Sequence, residues 1–155
     1  MARIDVGDEA PGFSLDGTGD RSYSLSEYRG EWTILAFYPG DFTPVCTRQF
    51  CSYRDADDRL DTLKASVLGI SPQSVASHER FSRRYELTVP LLADTDKEVC
   101  SAYGVLRAGQ VRRSVFILDP EGIVRYRHSA ILGLSYKDVD HLAGSLARAR
   151  EAAAP

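Results

Sequence analysis

The hydrophobic pattern at the start of the chain predicts a hairpin, a buried strand and a long helix. Residues 13–24 contain short extended segments on either side of a Gly-Thr-Gly-Asp turn, which indicates a β-hairpin. Residues 32–38 (WTILAFY) form a continuous apolar run, as is typical of a strand buried on both faces. We predict a helix from Thr43 to about Leu63, because Thr43 suits the N-cap and Pro44 suits the first helical position.

The rest of the chain continues the alternation of strands and helices. Its pattern predicts a strand over 66–71, a helix from about Ser74 to Tyr85, an extended piece over 90–94, a helix that Thr95 or Asp96 caps and Gly104 ends, a hairpin of 114–119 and 123–129, and a closing helix from about Ser135 to Arg150. Two strand–helix–strand crossovers followed by an antiparallel hairpin give a mixed sheet with helices on both faces. The predicted fold is therefore α/β and thioredoxin-like, a central mixed sheet flanked by helices, with an N-terminal β-hairpin.

Length and composition favour one globular domain over residues 1–155. The chain has 155 residues, of which 43% are hydrophobic, and it contains neither an internal repeat nor a linker-like tract. Lys and Arg number 19 and Asp and Glu 22, so the net charge is −3 and gives no reason to expect a nucleic-acid or membrane partner. The sequence has no apolar run near 18 residues and its N-terminus lacks the apolar core of a secretory signal, so we expect a cytoplasmic protein.

Three cysteines, Cys46, Cys51 and Cys100, change this picture of an ordinary globular domain. They are too few, and odd in number, for a scaffold held by disulfides. In a reducing compartment, closely spaced cysteines more often indicate metal binding or redox chemistry. The pair at positions 46 and 51 is therefore the candidate for function.

Cys46 is predicted to lie in the first turn of a helix that directly follows a buried strand. Unpaired N–H groups and a partial positive charge at a helix N-terminus favour a thiolate there. Active sites of open α/β sheets lie at the carboxyl ends of strands, which is where this turn is placed. The hydroxyl of Thr43, three residues earlier, can point towards the sulfur. The alternative is that Cys46 is simply a small apolar residue of the core.

Cys51 follows Cys46 by five residues, which disfavours a permanent disulfide between them. In an α-helix this spacing gives a rise of about 7.5 Å and a Cα separation of about 8–9 Å, whereas a disulfide needs about 4.4–6.8 Å. Either the two cysteines stay apart, or the helix unwinds when they bond. A metal site is disfavoured as well, because Cys100 and the three histidines supply no second closely spaced pair of ligands. We expect no metal and no cofactor.

The residues around Cys46 resemble a known family. Pro39, Thr43 and Cys46 in PGDFTPVC match the P-x-x-x-T-x-x-C signature of the peroxiredoxins. The longer block FYPGDFTPVCTRQFCSYRD resembles the Q-type subfamily, also called bacterioferritin-comigratory-protein-like. Further similar segments follow in the family's order, namely APGFSL, YSLSEYRGEWTILAFYP, VPLLADTDKEVCSAYGV and RSVFILDPEGIV. Val45 departs from the glycine that many Q-type members have.

This resemblance implies a role for each residue of the block. Cys46 is similar to the peroxidatic cysteine, which attacks a hydroperoxide and becomes a sulfenic acid. Thr43 resembles the hydroxyl that bonds thiolate and peroxide, and Pro39 the proline that shields the sulfur from solvent. Cys51 falls where some Q-type members carry a resolving cysteine, which condenses with the sulfenic acid to an intramolecular disulfide. Thioredoxin or a similar dithiol would then reduce the disulfide.

The family also uses an arginine from a distant strand, for which Arg112 and Arg113 are the candidates. Strand alternation lets only one of them face a given side. The family's arginine lies three residues before a strand phenylalanine, here Phe116, which selects Arg113. Gln49, one turn after Cys46, is either a support for Arg113 or an ordinary helix-surface residue.

The function expected from the sequence is that of a thiol-dependent peroxidase acting on hydrogen peroxide and organic hydroperoxides. Two alternatives remain open on the same fold, a thiol–disulfide oxidoreductase and a non-enzymatic redox sensor. The first would need a C-x-x-C pair, whereas residues 46–49 are Cys-Thr-Arg-Gln. Cys100 is interpreted as a buried small residue with a redox role as the alternative, and we expect a monomer or weak homodimer.

Overall fold

The computed structural model of the protein describes residues 4–129 and 139–153. The strands are β1 (Ser14–Gly17), β2 (Arg21–Ser24), β3 (Trp32–Phe37), β4 (Ala65–Ser71), β5 (Leu91–Ala93), β6 (Leu106–Arg107), β7 (Gln110–Val111), β8 (Ser114–Leu118) and β9 (Val124–Ser129). The helices are α1 (Pro44–Asp55), α2 (Asp57–Thr62), α3 (Val75–Tyr85), α4 (Glu98–Ala102) and α5 (Val139–Ala153). A short 3-10 helix, Leu25–Tyr28, follows β2.

Seven strands form one mixed sheet in the order β2-β1-β5-β4-β3-β8-β9. The three central strands, β3, β4 and β5, are parallel, and β8 and β9 extend the sheet from β3 as an antiparallel hairpin. At the other edge the N-terminal hairpin joins antiparallel to β5. The predicted mixed sheet with an N-terminal β-hairpin is confirmed.

The sheet separates two hydrophobic cores, as the alternation of side chains along a strand requires. Ile34 and Ala36 of β3 face the core that contains Cys46 and residues of α1, α3 and α5. Leu35 and Phe37 face the other core, which α4 and its Cys100 help to form. Helices therefore cover both faces, and two of the three cysteines lie on opposite sides of the sheet.

The predicted helix from Thr43 to Leu63 is wrong in one respect, because it is two helices. The α1 helix ends at Asp55 and α2 begins at Asp57, with Ala56 in a non-helical conformation (φ −106°, ψ 22°) between them. Acidic side chains disfavour a helix C-terminus and favour an N-terminus through the helix dipole. Asp57 and Asp58 are thus better placed in the first turn of a new helix than in the interior of a long one.

The start of α4 also differs from the prediction. The carboxylate of Asp94 accepts from the N–H groups of Val99 and Cys100 at 3.1 and 2.7 Å, while Asp96 accepts from that of Glu98 at 3.0 Å. The principal cap therefore comes from the residue that follows β5. The predicted start of the closing helix at Ser135 lies outside the described residues. None of the described helices is long and apolar enough to span a bilayer.

Candidate active site

Cys46 lies where the sequence predicts, in the first turn of α1 and just beyond the carboxyl end of β3. Thr43 is the N-cap in an extended conformation and Pro44 is the first helical residue. The Cys46 side chain is fully buried at this helix start. Unpaired N–H groups of the first turn carry partial positive charge, so the position stabilises a negative charge on the sulfur.

Arg113 reaches the sulfur from the residue just before β8. Its Nη2 donates to Cys46 Sγ at 3.0 Å, and its Nη1 donates to Gln49 Oε1 at 2.6 Å. Gln49 in turn donates through Nε2 to the Tyr53 hydroxyl at 2.9 Å. Both Arg113 and Gln49 are buried, so the guanidinium is held in one orientation away from water. Gln49 is a support for Arg113 and not a helix-surface residue.

The Thr43 hydroxyl donates its proton to the carbonyl oxygen of Gly40 at 3.0 Å. A hydroxyl has one proton and two lone pairs, so in this arrangement Thr43 offers only acceptor capacity to a molecule beside Cys46. Pro39 lies at the start of the same loop and is partly buried. The loop between β3 and α1 therefore brings Pro39, Thr43 and Cys46 to one end of the sheet.

Cys51 lies in the same uninterrupted helix as Cys46 and is partly buried. Both cysteines, and Cys100 as well, carry free thiols. Because α1 is intact from residue 44 to residue 55, the geometry that disfavours a direct bond between positions 46 and 51 applies to this state.

Cys100 has no geometric relation to this site. It is buried in the core on the other face of the sheet. Burial, followed by a hydrogen bond to Asp94, raises the pKa of the Cys100 thiol far above its usual value. A thiol that does not ionise is a poor nucleophile, so its surroundings favour the structural interpretation.

The site also contains a buried polar network that sequence reasoning missed. Asp41 accepts from the Tyr38 hydroxyl at 2.7 Å and from the Ser77 hydroxyl at 2.7 Å, and its Oδ2 lies 2.8 Å from His78 Nδ1. The side chains of Asp41 and His78 are fully buried. In the sequence 36 residues separate His78 from Asp41, and neither a short-range pattern nor a motif connects the two.

Within residues 4–129 and 139–153 there is no group of three His, Cys, Asp or Glu side chains placed to hold a metal ion. The polar groups around Cys46 are instead hydrogen-bond donors and acceptors fixed by a buried network. Such an arrangement can stabilise a thiolate and the charge that develops on an oxygen bonded to it.

Comparison with known proteins identifies peroxiredoxins as relatives of this chain. Residues 6–127 match the AhpC/TSA family. A bcp peroxiredoxin of Coxiella burnetii is 40% identical over 129 aligned residues, and the match covers 78% of this chain and 85% of that protein. The chloroplastic peroxiredoxin Q of Oryza sativa subsp. japonica is 36% identical over 127 residues. That match covers 80% of this chain and 58% of the rice protein, so the chain spans little more than half of that relative.

A solved structure of similar fold is that of the bacterioferritin comigratory protein of Xanthomonas campestris, with a TM-score of 0.78. It is 29% identical, and the match covers 92% of each chain. That protein has alkyl peroxide reduction activity, and its structure is of a trapped intermediate/ligand complex. A peroxidoxin BcpB of Mycobacterium tuberculosis superposes with a TM-score of 0.83 at 27% identity, over 98% of this chain and 100% of that one. These similarities confirm the predicted thioredoxin-like fold.

Proposed function

Because the chain belongs to the AhpC/TSA family of peroxiredoxins, we propose that its thiol-dependent peroxidase reaction begins at Cys46. The observation that carries this assignment is the 3.0 Å contact from the Arg113 guanidinium to the buried Cys46 sulfur. Arginine does not lose its charge under ordinary conditions, so this contact stabilises the thiolate form of Cys46.

In the first step, the Cys46 thiolate attacks one oxygen of the hydroperoxide. The S–O bond forms while the O–O bond breaks, and the sulfur loses two electrons to the peroxide. The proton of the attacked oxygen passes to the leaving oxygen, which departs as water or an alcohol. The resulting sulfenate takes a proton from water to become the sulfenic acid. Thr43 accepts a hydrogen bond from the peroxide O–H, since its own proton is donated to Gly40. Arg113 and the N–H groups of the first turn stabilise the charge that develops on the leaving oxygen, and Pro39 shields the sulfur from solvent.

In the second step, the sulfur of Cys51 attacks the sulfenic sulfur of Cys46. The S–S bond forms, the S–O bond breaks and water leaves. Since the two cysteines occupy an intact α1, this step requires the helix to unwind between them. Thioredoxin or a similar dithiol then reduces the disulfide by thiol–disulfide exchange and restores both thiols.

Hydrogen peroxide and organic hydroperoxides are the proposed substrates. The alkyl peroxide reduction activity of the X. campestris relative supports the organic class. We place the whole of residues 1–155 in one domain that acts as a monomer or weak homodimer in the cytoplasm, without a nucleic-acid or membrane partner.

The test is peroxide consumption coupled to a thioredoxin system, for the wild type and for single substitutions. Cys46→Ser should abolish consumption. Cys51→Ser should still reduce one equivalent of peroxide per chain, as seen in a single turnover, but should form no intramolecular disulfide by mass spectrometry. Turnover that survives Cys46→Ser would reject the assignment, and a Cys46–Cys100 bond in the oxidised wild type would reject the role of Cys51.

A further inference from the structure

The buried pair formed by Asp41 and His78 is not required by the reaction steps proposed above. His78 lies on α3, and Asp41 lies in the loop between β3 and α1, two residues before Thr43. The His78 Nδ1 is 3.0 and 2.8 Å from the two carboxylate oxygens of Asp41, and its Nε2 is 3.1 Å from the carbonyl oxygen of Leu92 on β5. One imidazole therefore joins α3, β5 and the loop that carries Thr43.

The hydrogen-bond pattern identifies the form of this imidazole. A carboxylate and a backbone carbonyl are both acceptors, so each ring nitrogen faces an oxygen lone pair and must carry a proton to bond it. A neutral ring would leave one nitrogen lone pair directed at an oxygen, in a fully buried place where water cannot intervene. The geometry favours a proton on each ring nitrogen, in which case His78 and Asp41 form a buried ion pair.

The groups around the pair are arranged to keep this charge distribution. Tyr38, just after β3, donates its hydroxyl proton to Asp41 Oδ1 at 2.7 Å. Burial, followed by the charge of Asp41 and the hydrogen bond to it, raises the pKa of Tyr38 well above its usual value, so the phenol remains a donor. From α3, the Ser77 hydroxyl donates to Asp41 Oδ2 at 2.7 Å. The Asp41 carboxylate is thus held by three side chains, Tyr38 just after β3 and Ser77 and His78 on α3.

Phe42, the residue after Asp41, has a strained backbone that the surrounding structure must hold in place. Phe42 has φ +64°, a left-handed conformation that is rare for an aromatic residue and costs about 1–3 kcal/mol. Its ring lies 5.1 Å from that of Phe81 on α3, although 47% of the residue is exposed. Strain of this kind persists only where the surroundings fix the backbone on both sides. Asp41 fixes it on one side, and the start of α1 fixes it on the other.

We propose that the buried Asp41–His78 ion pair positions the loop of residues 39–43, so that Thr43 meets the peroxide at the correct distance from Cys46. The inference rests on the proposed function and deepens it by adding two positioning residues that do not touch the reacting atoms. Phe42 keeps its strained conformation only if its neighbour Asp41 is held in place. A displacement of about 1 Å at a reacting group can lower the rate by about 100-fold.

The first test uses the reduced wild-type protein and needs no substitution to fold. Nitrogen-15 NMR of the histidine side chains, with the His78 signals assigned from their absence in His78→Asn, reports protonation at each ring nitrogen. Two protonated nitrogens on His78 at neutral pH support the ion pair. One nitrogen without a proton would overturn it.

The second test compares two reactions of Cys46 in His78→Asn, His78→Gln and Asp41→Asn. Peroxide reduction needs the loop, whereas alkylation by iodoacetamide needs the thiolate but not Thr43. We expect peroxide reduction to slow by about 10- to 100-fold while alkylation stays unchanged or becomes faster. Glu79→Gln is the matched control. It removes one charge from α3, at a residue whose carboxylate accepts from the N–H group of Gly19, in the turn between β1 and β2 and away from the loop of residues 39–43.

The two rates separate a positioning role from a general structural one. If both reactions slow together, the substitutions damage the whole site and the positioning role is rejected. If His78→Asn reduces peroxide as fast as Glu79→Gln, the role is also rejected. In either case Cys46→Ser still tests the proposed function by itself, since only that substitution removes the reacting sulfur.

Discussion

At the scale of single residues, the planar guanidinium of Arg113 determines the arrangement of the side chains around Cys46. Arg113 donates from one nitrogen to Cys46 and from another to Gln49, so one planar group both stabilises the sulfur and is itself oriented. A lysine ammonium has the same charge but no planar fork, and its flexible chain cannot reproduce the two directions at once. The arrangement therefore depends on arginine and not only on positive charge.

Substitution of Arg113 by Lys tests this dependence. We expect the second-order rate of Cys46 oxidation by hydrogen peroxide to fall by about 10²–10³-fold, because one donor at the developing charge is lost or displaced. Stopped-flow measurement of a single turnover gives the rate. Arg112→Lys is the matched control one residue earlier, and it should stay near the wild-type rate. A larger loss in Arg112→Lys than in Arg113→Lys would reverse the assignment of Arg113 as the arginine that acts on Cys46.

Substitution of Cys100, unlike that of Arg113, is expected to leave the peroxidase activity unchanged. Burial, followed by a bond to Asp94, raises the pKa of its thiol, so it remains protonated and unreactive at neutral pH. Cys100→Ala should leave thioredoxin-coupled turnover at the wild-type level and lower the free energy of unfolding by about 1 kcal/mol, through lost packing. Coupled kinetics and urea unfolding measure the two effects. Slower turnover in a variant that is fully folded would assign Cys100 a redox role.

Not every residue of the site could be predicted from the sequence. Cys46, Thr43 and Pro39 fall in one short signature, so their placement in one segment, the loop after β3 and the first turn of α1, followed from local spacing. Asp41 and His78 are 37 positions apart and meet only because α3 packs beside the loop. A buried ion pair that joins separate elements leaves no periodic or local signal, and tertiary packing alone reveals it.

At the scale of elements, Asp119 shows how one carboxylate organises the hairpin of β8 and β9. Its Oδ1 accepts from the N–H groups of Glu121 and Ile123 at 2.9 and 3.0 Å, and its Oδ2 accepts from Arg125 at 2.8 Å. Burial would raise the pKa of Asp119, but these donors outweigh it and hold the pKa below the usual value. The charged form thus stabilises the turn that follows β8, the strand next to Arg113.

Replacement of Asp119 by Asn should lower the free energy of unfolding by about 1–3 kcal/mol at pH 7. Since the folded pKa is depressed, the contribution of the carboxylate is present above the pKa of the unfolded chain and is lost as pH falls through the folded pKa. Wild type and variant should therefore converge in strongly acidic solution. Urea unfolding at neutral and acid pH measures this, with Glu121→Gln as an exposed control. A difference that does not change with pH would exclude the ionic origin.

The sequence predicted elements with strong periodicity and missed those determined by weaker local signals. The buried β3 was evident from its apolar run, whereas the break of the long helix at Ala56 depended on how two acidic residues suit a helix start. The hairpin of β6 and β7 was also missed, because each strand has two residues and so has no period to detect. Short elements are fixed by their neighbours more than by their own pattern.

At the scale of the whole molecule, the redox cycle and the stability of the fold are linked through α1. Phe50 lies in sequence between Cys46 and Cys51, the two cysteines proposed to react. It is fully buried, with its ring centroid 4.6 Å from that of Tyr38 and 6.4 Å from that of Phe81. A Cβ added at Gly69 of β4 would lie 2.9 Å from the Phe50 ring, so the strand and the helix are already in close contact. Unwinding of residues 46–51 has to disturb this packing.

Opposing contributions set the stability of the oxidised protein. A disulfide that closes the short loop from Cys46 to Cys51 removes entropy from the unfolded chain worth about 2 kcal/mol. Exposing Phe50 costs about 3–5 kcal/mol, and the Gln49–Arg113 hydrogen bond is lost in addition. The packing loss exceeds the loop contribution, so we expect the oxidised protein to be the less stable form, with a Tm lower by about 5–10 °C.

Calorimetry of reduced and peroxide-treated wild type measures this difference, and hydrogen exchange locates it. Amides of residues 46–51 should exchange faster after oxidation, while those of β8 should stay protected because the sheet does not change. Cys51→Ser, treated in the same way, cannot form the bond and should keep the exchange pattern of an intact α1. An oxidised wild type that melts at or above the reduced form, with α1 still protected, would show that Cys46 and Cys51 do not pair, because an intact helix cannot accommodate the bond between them.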